Sequence, residues 1–261
     1  MKTNKIKPTI KANKNPLISI ITVVYNGDKY LEQTIKSVIN QTYKNIEYII
    51  IDGGSTDRTL EIIEKYEKQI DYWISEPDEG LYDAMNKGIR KANGDLIGMI
   101  NSDDWYELDA VSHVVKSLLD NPNKGVFHGD MYLISDKSKK ILRSFNSSKF
   151  KFKYYGMTYA HPTFFVSKRI YSKYQYNTRL KTISDYQFSL EVFLDDSKTY
   201  CYIDRPLANY RFGGLSDTIA TNKLLIDGFK ARKNAGLNMF QNMFSFLIRF
   251  VVFYSYKLKN K

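Results

Sequence analysis

The sequence predicts an α/β fold built on a mostly parallel, twisted sheet flanked by helices. Three observations carry that expectation. Residues 17–24 are rich in β-branched side chains and apolar at successive positions, the pattern of a strand covered on both faces. A unit of strand, turn and helix then recurs through Asp104, as parallel strands joined by helical crossovers require. Each apolar run also stops at short polar residues, which would line the carboxyl-terminal rim where open parallel sheets bind ligands.

In order, residues 1–15 form a basic arm with five Lys and no acid. The strand at 17–24 ends in a turn at Tyr25, Asn26 and Gly27, and Asp28 is placed to cap a helix whose Leu31, Ile35, Val38 and Ile39 share a face. A second strand over 46–51 ends at Asp52, and Ser55, Thr56 and Asp57 are capping candidates for a helix marked by Leu60, Ile63 and Tyr66. Residues 72–75 form a short third strand. Leu81, Met85 and Ile89 define the next helix, ending near Asn93 and Gly94. The fourth strand, 96–100, delivers Asn101, Ser102, Asp103 and Asp104. A helix then leads to Asn121 and Pro122, and residues 126–132 form a strand. His161 precedes Pro162 and an apolar run, which predicts an extended or turn conformation. Asp185 opens a helix whose Phe188 and Val192 face inward, so capping alone would explain it.

The chain divides into the arm (1–15), a main domain (16–222, with halves 16–110 and 111–222) and a basic amphipathic C-terminal helix (223–261). The two tails carry +12 of the net charge of +11, leaving −1 for the main domain. Within it, residues 137–184 hold twelve Lys or Arg and no acid. No nucleic-acid-binding module accompanies these segments, which sets nucleic acid aside and favours an anionic membrane surface over plain solvated charge. The single cysteine, Cys201, reads as a buried strand residue. It excludes an internal disulfide framework and fits a reducing compartment, and no apolar leader is visible in the N-terminal residues.

Two adjacent carboxylates at a strand end are a plausible site for a hard divalent ion, although a helix cap explains them as well. Each polar strand end alone is more often a turn. Three along one rim, at Tyr25-Asn26, at Asp52 and at residues 101–104, are better explained by a bound ligand. Neither a G-x-G-x-x-G loop after the first strand nor a G-x-x-x-x-G-K-[ST] motif is present. Without a glycine cradle, a metal at Asp103 and Asp104 is the natural holder of a pyrophosphate.

The order of residues 20–26, 51–57, 80–88, 92–95 and 101–104 resembles the family 2 glycosyltransferases of the GT-A fold, over about residues 17–215. Residues 75–86 resemble bacterial members that build surface polysaccharides of the colanic-acid and O-antigen type. The resemblance implies an inverting, hexosyltransferase-type enzyme that moves one sugar from a nucleotide-sugar donor, UDP-linked, to a lipid-linked or polysaccharide acceptor. It implies that Thr22, Tyr25, Asn26 and Asp52 bind the nucleotide, and it places Asn86, Asn101 and Ser102 on the donor side. Asp103 matches the last position of the family's Asp-X-Asp motif and is the implied ligand of Mn²⁺ or Mg²⁺. Asn101 stands where the first Asp would be and supplies no charge, and Asp104 caps or supports the site. Lys87 reaches a phosphate or faces solvent. His161 falls near the donor–acceptor cleft, and Asp185 occupies the position of the general base, with Ser184 where a Glu often precedes it. Arg211, before a Gly-Gly turn, belongs either to a loop closing on the diphosphate or to a plain surface loop.

The C-terminal stretch 237–256 sets Asn238, Gln241, Asn242, Ser245 and Arg249 on one helical face and Phe240, Met243, Phe244, Leu247, Val251 and Tyr254 on the other. A helix lying in the interface of an anionic leaflet, followed by Lys257, Lys259 and Lys261, fits this pattern. The rival is packing on its own domain or on a second copy. These readings expect a protein on the cytoplasmic face of the plasma membrane. Two other functions compete: a sugar nucleotidyltransferase and a non-catalytic binding module.

Overall fold

The computed structural model describes residues 14–135, 139–213 and 220–259, so most of the basic arm lies outside the described residues. The first half follows β1 (Ile18–Val24), α1 (Leu31–Ile39), β2 (Ile46–Asp52), α2 (Thr59–Lys65), β3 (Tyr72–Ser75), α3 (Leu81–Lys91) and β4 (Leu96–Asn101). Its four strands are parallel in the order β3-β2-β1-β4. Every β1 residue is buried, as its apolar run on both faces requires. Ile21 and Val23 pack with Met85 and Ile89 of α3, whereas Ile18 and Ile20 pack with Leu31, Ile35 and Val38 of α1.

The second half adds β5 (Trp105–Tyr106), α4 (Ala110–Asp120), β6 (Val126–Ile134), β7 (Lys140–Arg143), β8 (Phe165–Ser167), α5 (Lys168–Tyr171), α6 (Ser184–Asp195), β9 (Tyr200–Arg211), α7 (Thr221–Asn234) and α8 (Met239–Lys259). Here the sheet is mixed rather than parallel. The short β8 runs antiparallel between β4 and β6, while β9 runs parallel to β6 and antiparallel to β5. Antiparallel neighbours need no helical crossover, so β8 joins the halves into one sheet.

Three capping expectations are corrected. Asp28 does not cap α1, which starts after Tyr30 with no side-chain bond; instead the Asp28 carboxylate lies 3.5 Å from Arg58. Asp104 does not cap α4, which begins after Asp109. Asp185 lies inside α6, whose preceding residue Ile183 is left-handed (φ 53°). That conformation costs a β-branched residue about 1–2 kcal/mol. Asp57 stands one residue before the N-cap of α2, which is Arg58, and accepts from the Thr59 N–H (2.9 Å) at the start of that helix.

His128 of β6 is buried among the rings of Phe145, Tyr159 and Tyr202, with centroids 4.6, 4.7 and 5.5 Å away, and its Nδ1 has no partner. Burial holds its pKa down at about 3. The unfolded chain therefore binds this proton below about pH 6.5 while the folded chain refuses it, so stability falls as pH drops through that window. Urea denaturation is expected to show a loss of about 2 kcal/mol between about pH 7.5 and about pH 5. His128→Leu should remove that contribution to the slope.

Candidate active site

The carboxyl-terminal rim of the sheet is assembled from the ends of β1, β2 and β4. After β1, Tyr25 is exposed and Asn26 adopts φ 50°, a conformation Asn tolerates. The Asn26 Oδ1 accepts from the Thr56 N–H (2.8 Å), and its own N–H donates to Ser55 Oγ (2.7 Å), so the β1 and β2 turns are laced together. Asp52 is fully buried and accepts from the N–H groups of Gly54 and Ser55 (3.0 and 2.9 Å) and from the hydroxyls of Ser55 and Ser75. Its carboxylate organises the loop beneath the rim. Thr22 is likewise buried, 3.0 Å from the Tyr48 hydroxyl. Of the four implied nucleotide residues, Tyr25 and Asn26 are exposed, while Thr22 and Asp52 are enclosed.

The loop after β4 is pinned from two sides. The Thr34 hydroxyl of α1 bonds the carbonyls of Ser102 and Asp104 (2.9 and 2.6 Å). Ser102 lies so close to Gly27 that a Cβ there would meet its Oγ at 3.1 Å and Val24 Cγ2 at 2.6 Å. From the other side Arg211, the last residue of β9, donates its backbone N–H to Asp104 Oδ1 (3.0 Å) and its Nε to the Asp103 carbonyl (3.3 Å). Its guanidinium lies over the Tyr30 and Trp105 rings and donates to Gln33 Oε1 (2.8 Å). Arg211 thus lies in a strand rather than a loop, paired with Ile134 of β6, and the two rings hold its guanidinium. The rest of the Gly-Gly turn, from Gly214, lies outside the described residues.

Below this rim opens a cleft of about 900 Å³, into which Asn101, His161 and Asp185 all project. Asp185 Oδ1 accepts from the Tyr82 hydroxyl (3.0 Å), and His161 Nε2 lies 2.9 Å from the Tyr176 hydroxyl. Burial holds the His161 imidazole below its usual range, opposed by the Asp185 charge. Burial, then the Asp185 charge, push the Tyr82 phenol well up, so it stays a donor at neutral pH. Ser184 accepts from the Asn177 N–H (2.6 Å) and is buried beside the cleft rather than in it. His161 opens a 3₁₀ turn, as expected before Pro162.

Two expected donor residues are engaged elsewhere. Asn86 is buried in α3 and exchanges both amide bonds with the Tyr176 backbone (2.8 and 3.1 Å). Lys87 pairs with Glu76 (2.8 Å) and with the Pro77 carbonyl (3.0 Å). Both are drawn off because a neighbouring loop supplies the partners their polar ends need. Tyr82 carried no role in the sequence reading, although it lies within the 80–88 motif. Its partner is 103 residues away, and no local spacing signals that contact.

The residues after β4 fit a divalent ion. Burial, then the Asp103 charge, push the Asp104 carboxyl well above the usual carboxylate range, with the Arg211 N–H opposing. Asp104 is enclosed, whereas Asp103 is half-buried at the rim. Among the described residues no three His, Cys, Asp or Glu come together, so the donor set is not a closed cage. One carboxylate, completed by substrate phosphates and water, is a set that suits Mg²⁺ or Mn²⁺.

Comparison with known proteins bears on the family and the fold. The family described as Glycosyl transferase family 2 matches residues 19–177, more than half of the 261-residue chain. The chain is 38% identical over 137 residues to an uncharacterized glycosyltransferase of Haemophilus influenzae, covering 51% of this chain and 54% of that relative. It is 28% identical over 216 residues to a PGL/p-HBAD biosynthesis glycosyltransferase of Mycobacterium bovis, covering 80% and 83%. Among solved structures, S. aureus TarS in complex with UDP superposes with a TM-score of 0.67 at 16% identity, covering 87% of this chain and 68% of that one. The mannosyltransferase PcManGT of Pyrobaculum calidifontis, in complex with GDP-Man and Mn²⁺, gives 0.60 at 14%, covering 88% and 65%. These likenesses place the fold with the GT-A glycosyltransferases, and the chain belongs to glycosyl transferase family 2.

Proposed function

We propose that the protein moves a single sugar, with inversion, from a nucleotide-sugar donor to a lipid-linked or polysaccharide hydroxyl in bacterial surface-glycan synthesis. One observation carries the reading: the cleft that Asp185 enters also contains Asn101, two residues before Asp103 at the donor rim. Asp185, oriented by the Tyr82 hydroxyl, takes the acceptor proton as the acceptor oxygen attacks the anomeric carbon. The bond from that carbon to the diphosphate breaks, and the nucleoside diphosphate leaves. Tyr25 and Asn26, exposed at the end of β1, meet the nucleotide, and Asp52 holds their loop in shape. Asp103 would hold Mn²⁺ or Mg²⁺, which supplies charge stabilisation to the leaving diphosphate. His161 borders the acceptor side.

The UDP held by TarS and the GDP-Man held by PcManGT support a nucleotide sugar, and a UDP-sugar is the first candidate. Purified protein with Mn²⁺, a donor panel and lipid-linked acceptors is expected to release a nucleoside diphosphate and give a product of inverted anomeric configuration by NMR. EDTA should reduce turnover at least tenfold, and added Mn²⁺ should restore it. Pyrophosphate release from a nucleoside triphosphate would instead favour the nucleotidyltransferase. Donor binding without turnover across that panel would favour the binding module.

A further inference from the structure

α8 is turned the opposite way from an ordinary surface helix. Its polar stripe faces the protein: Asn242 is 1% exposed and Ser245 0%. Asn242 accepts from the buried Arg232 Nε (3.2 Å) and donates to the Phe229 carbonyl (2.9 Å). Ser245 donates to the Tyr154 carbonyl, and the Arg249 guanidinium lies against Gly228 of α7, where a Cβ would sit 2.5 Å from its Nη1. The apolar stripe is left outside, with Phe240 88% exposed and Met243, Phe244, Leu247 and Val251 exposed along the same face. The half of the rival reading that packs this helix on its own domain therefore holds, but through the polar side.

The apolar surface does not stop at α8. Phe244 meets the rings of Phe150 and Tyr154 at 6.2 and 5.5 Å, and Phe150 and Tyr155 are themselves exposed on the turn that contains Lys151–Tyr155. Two segments some ninety residues apart in sequence thus share one apolar face. A contiguous apolar patch of this kind marks an interaction surface, unlike scattered apolar residues.

The charge around the face selects the partner. Lys149 and Lys151 are exposed beside Phe150, and residues 137–184 contain no acid. The lone acid of residues 223–261, Asp227, is buried and bonded by the Thr182 hydroxyl (2.7 Å). A second copy seated here would bring one cationic fringe against another, whereas an anionic leaflet complements it. No described helix is long and apolar enough to cross a membrane, and Arg249 sits on the buried side of α8. We infer that α8 and the 149–155 turn together form a surface that lies in the headgroup region of an anionic bilayer. The polar stripe of α8 rivets the helix to the domain, and its apolar stripe enters the lipid. This surface is independent of what the cleft turns over.

The test is co-sedimentation of the full chain with vesicles of phosphatidylcholine containing about one third phosphatidylglycerol, against pure phosphatidylcholine. Strong binding to the anionic vesicles, weakened by salt, is expected. Phe240→Ser and Phe150→Ser should each weaken it about tenfold. Lys149→Glu and Lys151→Glu should each weaken it about fivefold or more. These positions are exposed, so the variants should keep the parent's circular dichroism and thermal midpoint and its turnover of a water-soluble acceptor. Equal binding to pure phosphatidylcholine, or variants that bind like the parent, would overturn the inference. So would a concentration-dependent dimer in sedimentation velocity that Phe240→Ser dissolves, which would assign the face to a second copy. Loss of catalysis with intact vesicle binding would count against the catalytic reading alone.

Discussion

Asp185→Asn is expected to lower kcat by about 10²–10⁴-fold, the range a positioned general base contributes. Asn keeps the size of the side chain and can still accept from Tyr82, whose hydroxyl lies 3.0 Å from Asp185 Oδ1. It cannot take a proton. The fold should therefore survive, the KM for the donor should change little, and the loss should fall on kcat. Tyr82→Phe separates proton acceptance from orientation. It keeps the ring that stacks on Tyr176, at a 5.7 Å centroid distance, and removes only the bond to Asp185. A fall of about tenfold in kcat, with little change in the KM for the donor, is expected, because the carboxylate loses the bond that aims it. Wild-type kcat in Asp185→Asn would remove this residue from the chemistry.

Asp103→Asn should cost about 10²–10³-fold in activity and raise the Mn²⁺ concentration needed for half-maximal turnover. The neighbouring substitution Asp104→Asn provides the contrast. Asp104 is enclosed, and its carboxyl is pushed toward the neutral form by burial and by the Asp103 charge. Asn keeps an oxygen for the Arg211 N–H at 3.0 Å and carries no charge, so the thermal midpoint should hold or rise and metal dependence should stay near the parent's. Titrating Mn²⁺ into each variant by calorimetry, with a nucleoside diphosphate present, checks the division. Equal losses of metal affinity in both variants would show that the pair acts as one ligand set.

The strands were legible because burial on both faces leaves a signal in consecutive residues, as in β1 and β2. The rim was legible for a related reason, since a parallel sheet must place all its strand ends on one side. The roles of single polar residues were harder to read. Asp28, Asp104 and Asp185 each precede or open a helix, and a carboxylate there looks the same in sequence whether it binds an N–H, packs in the interior or faces a cleft. What decides it is a distant partner: Arg58 for Asp28, Arg211 for Asp104, Tyr82 for Asp185. Asn86 was hard to read for the same reason, its amide being bonded to the backbone at Tyr176, ninety residues on. In α8 the periodicity separated the two faces without saying which turned inward. That was settled by Arg232 and by the carbonyls of Phe229 and Tyr154, which give the polar stripe its partners.

The arrangement of β5 and β9 also makes the loop after β4 depend on a late part of the chain. β5 pairs Trp105 with Asn209 and Tyr106 with Ala208, and the Asp104 side chain is held by a backbone N–H 107 residues further along the chain. As the chain emerges from the ribosome, β1 to β4 can pair early, but the loop that carries Asp103 and Asp104 has neither its strand partner nor its clamp until Arg211 has been made. Closing so long a segment is slow. The Asp103–Asp104 end of the sheet therefore cannot complete its native contacts until β9 has been made, and a nascent chain halted before β9 would lack both the β5–β9 pairing and the Arg211 bond to Asp104.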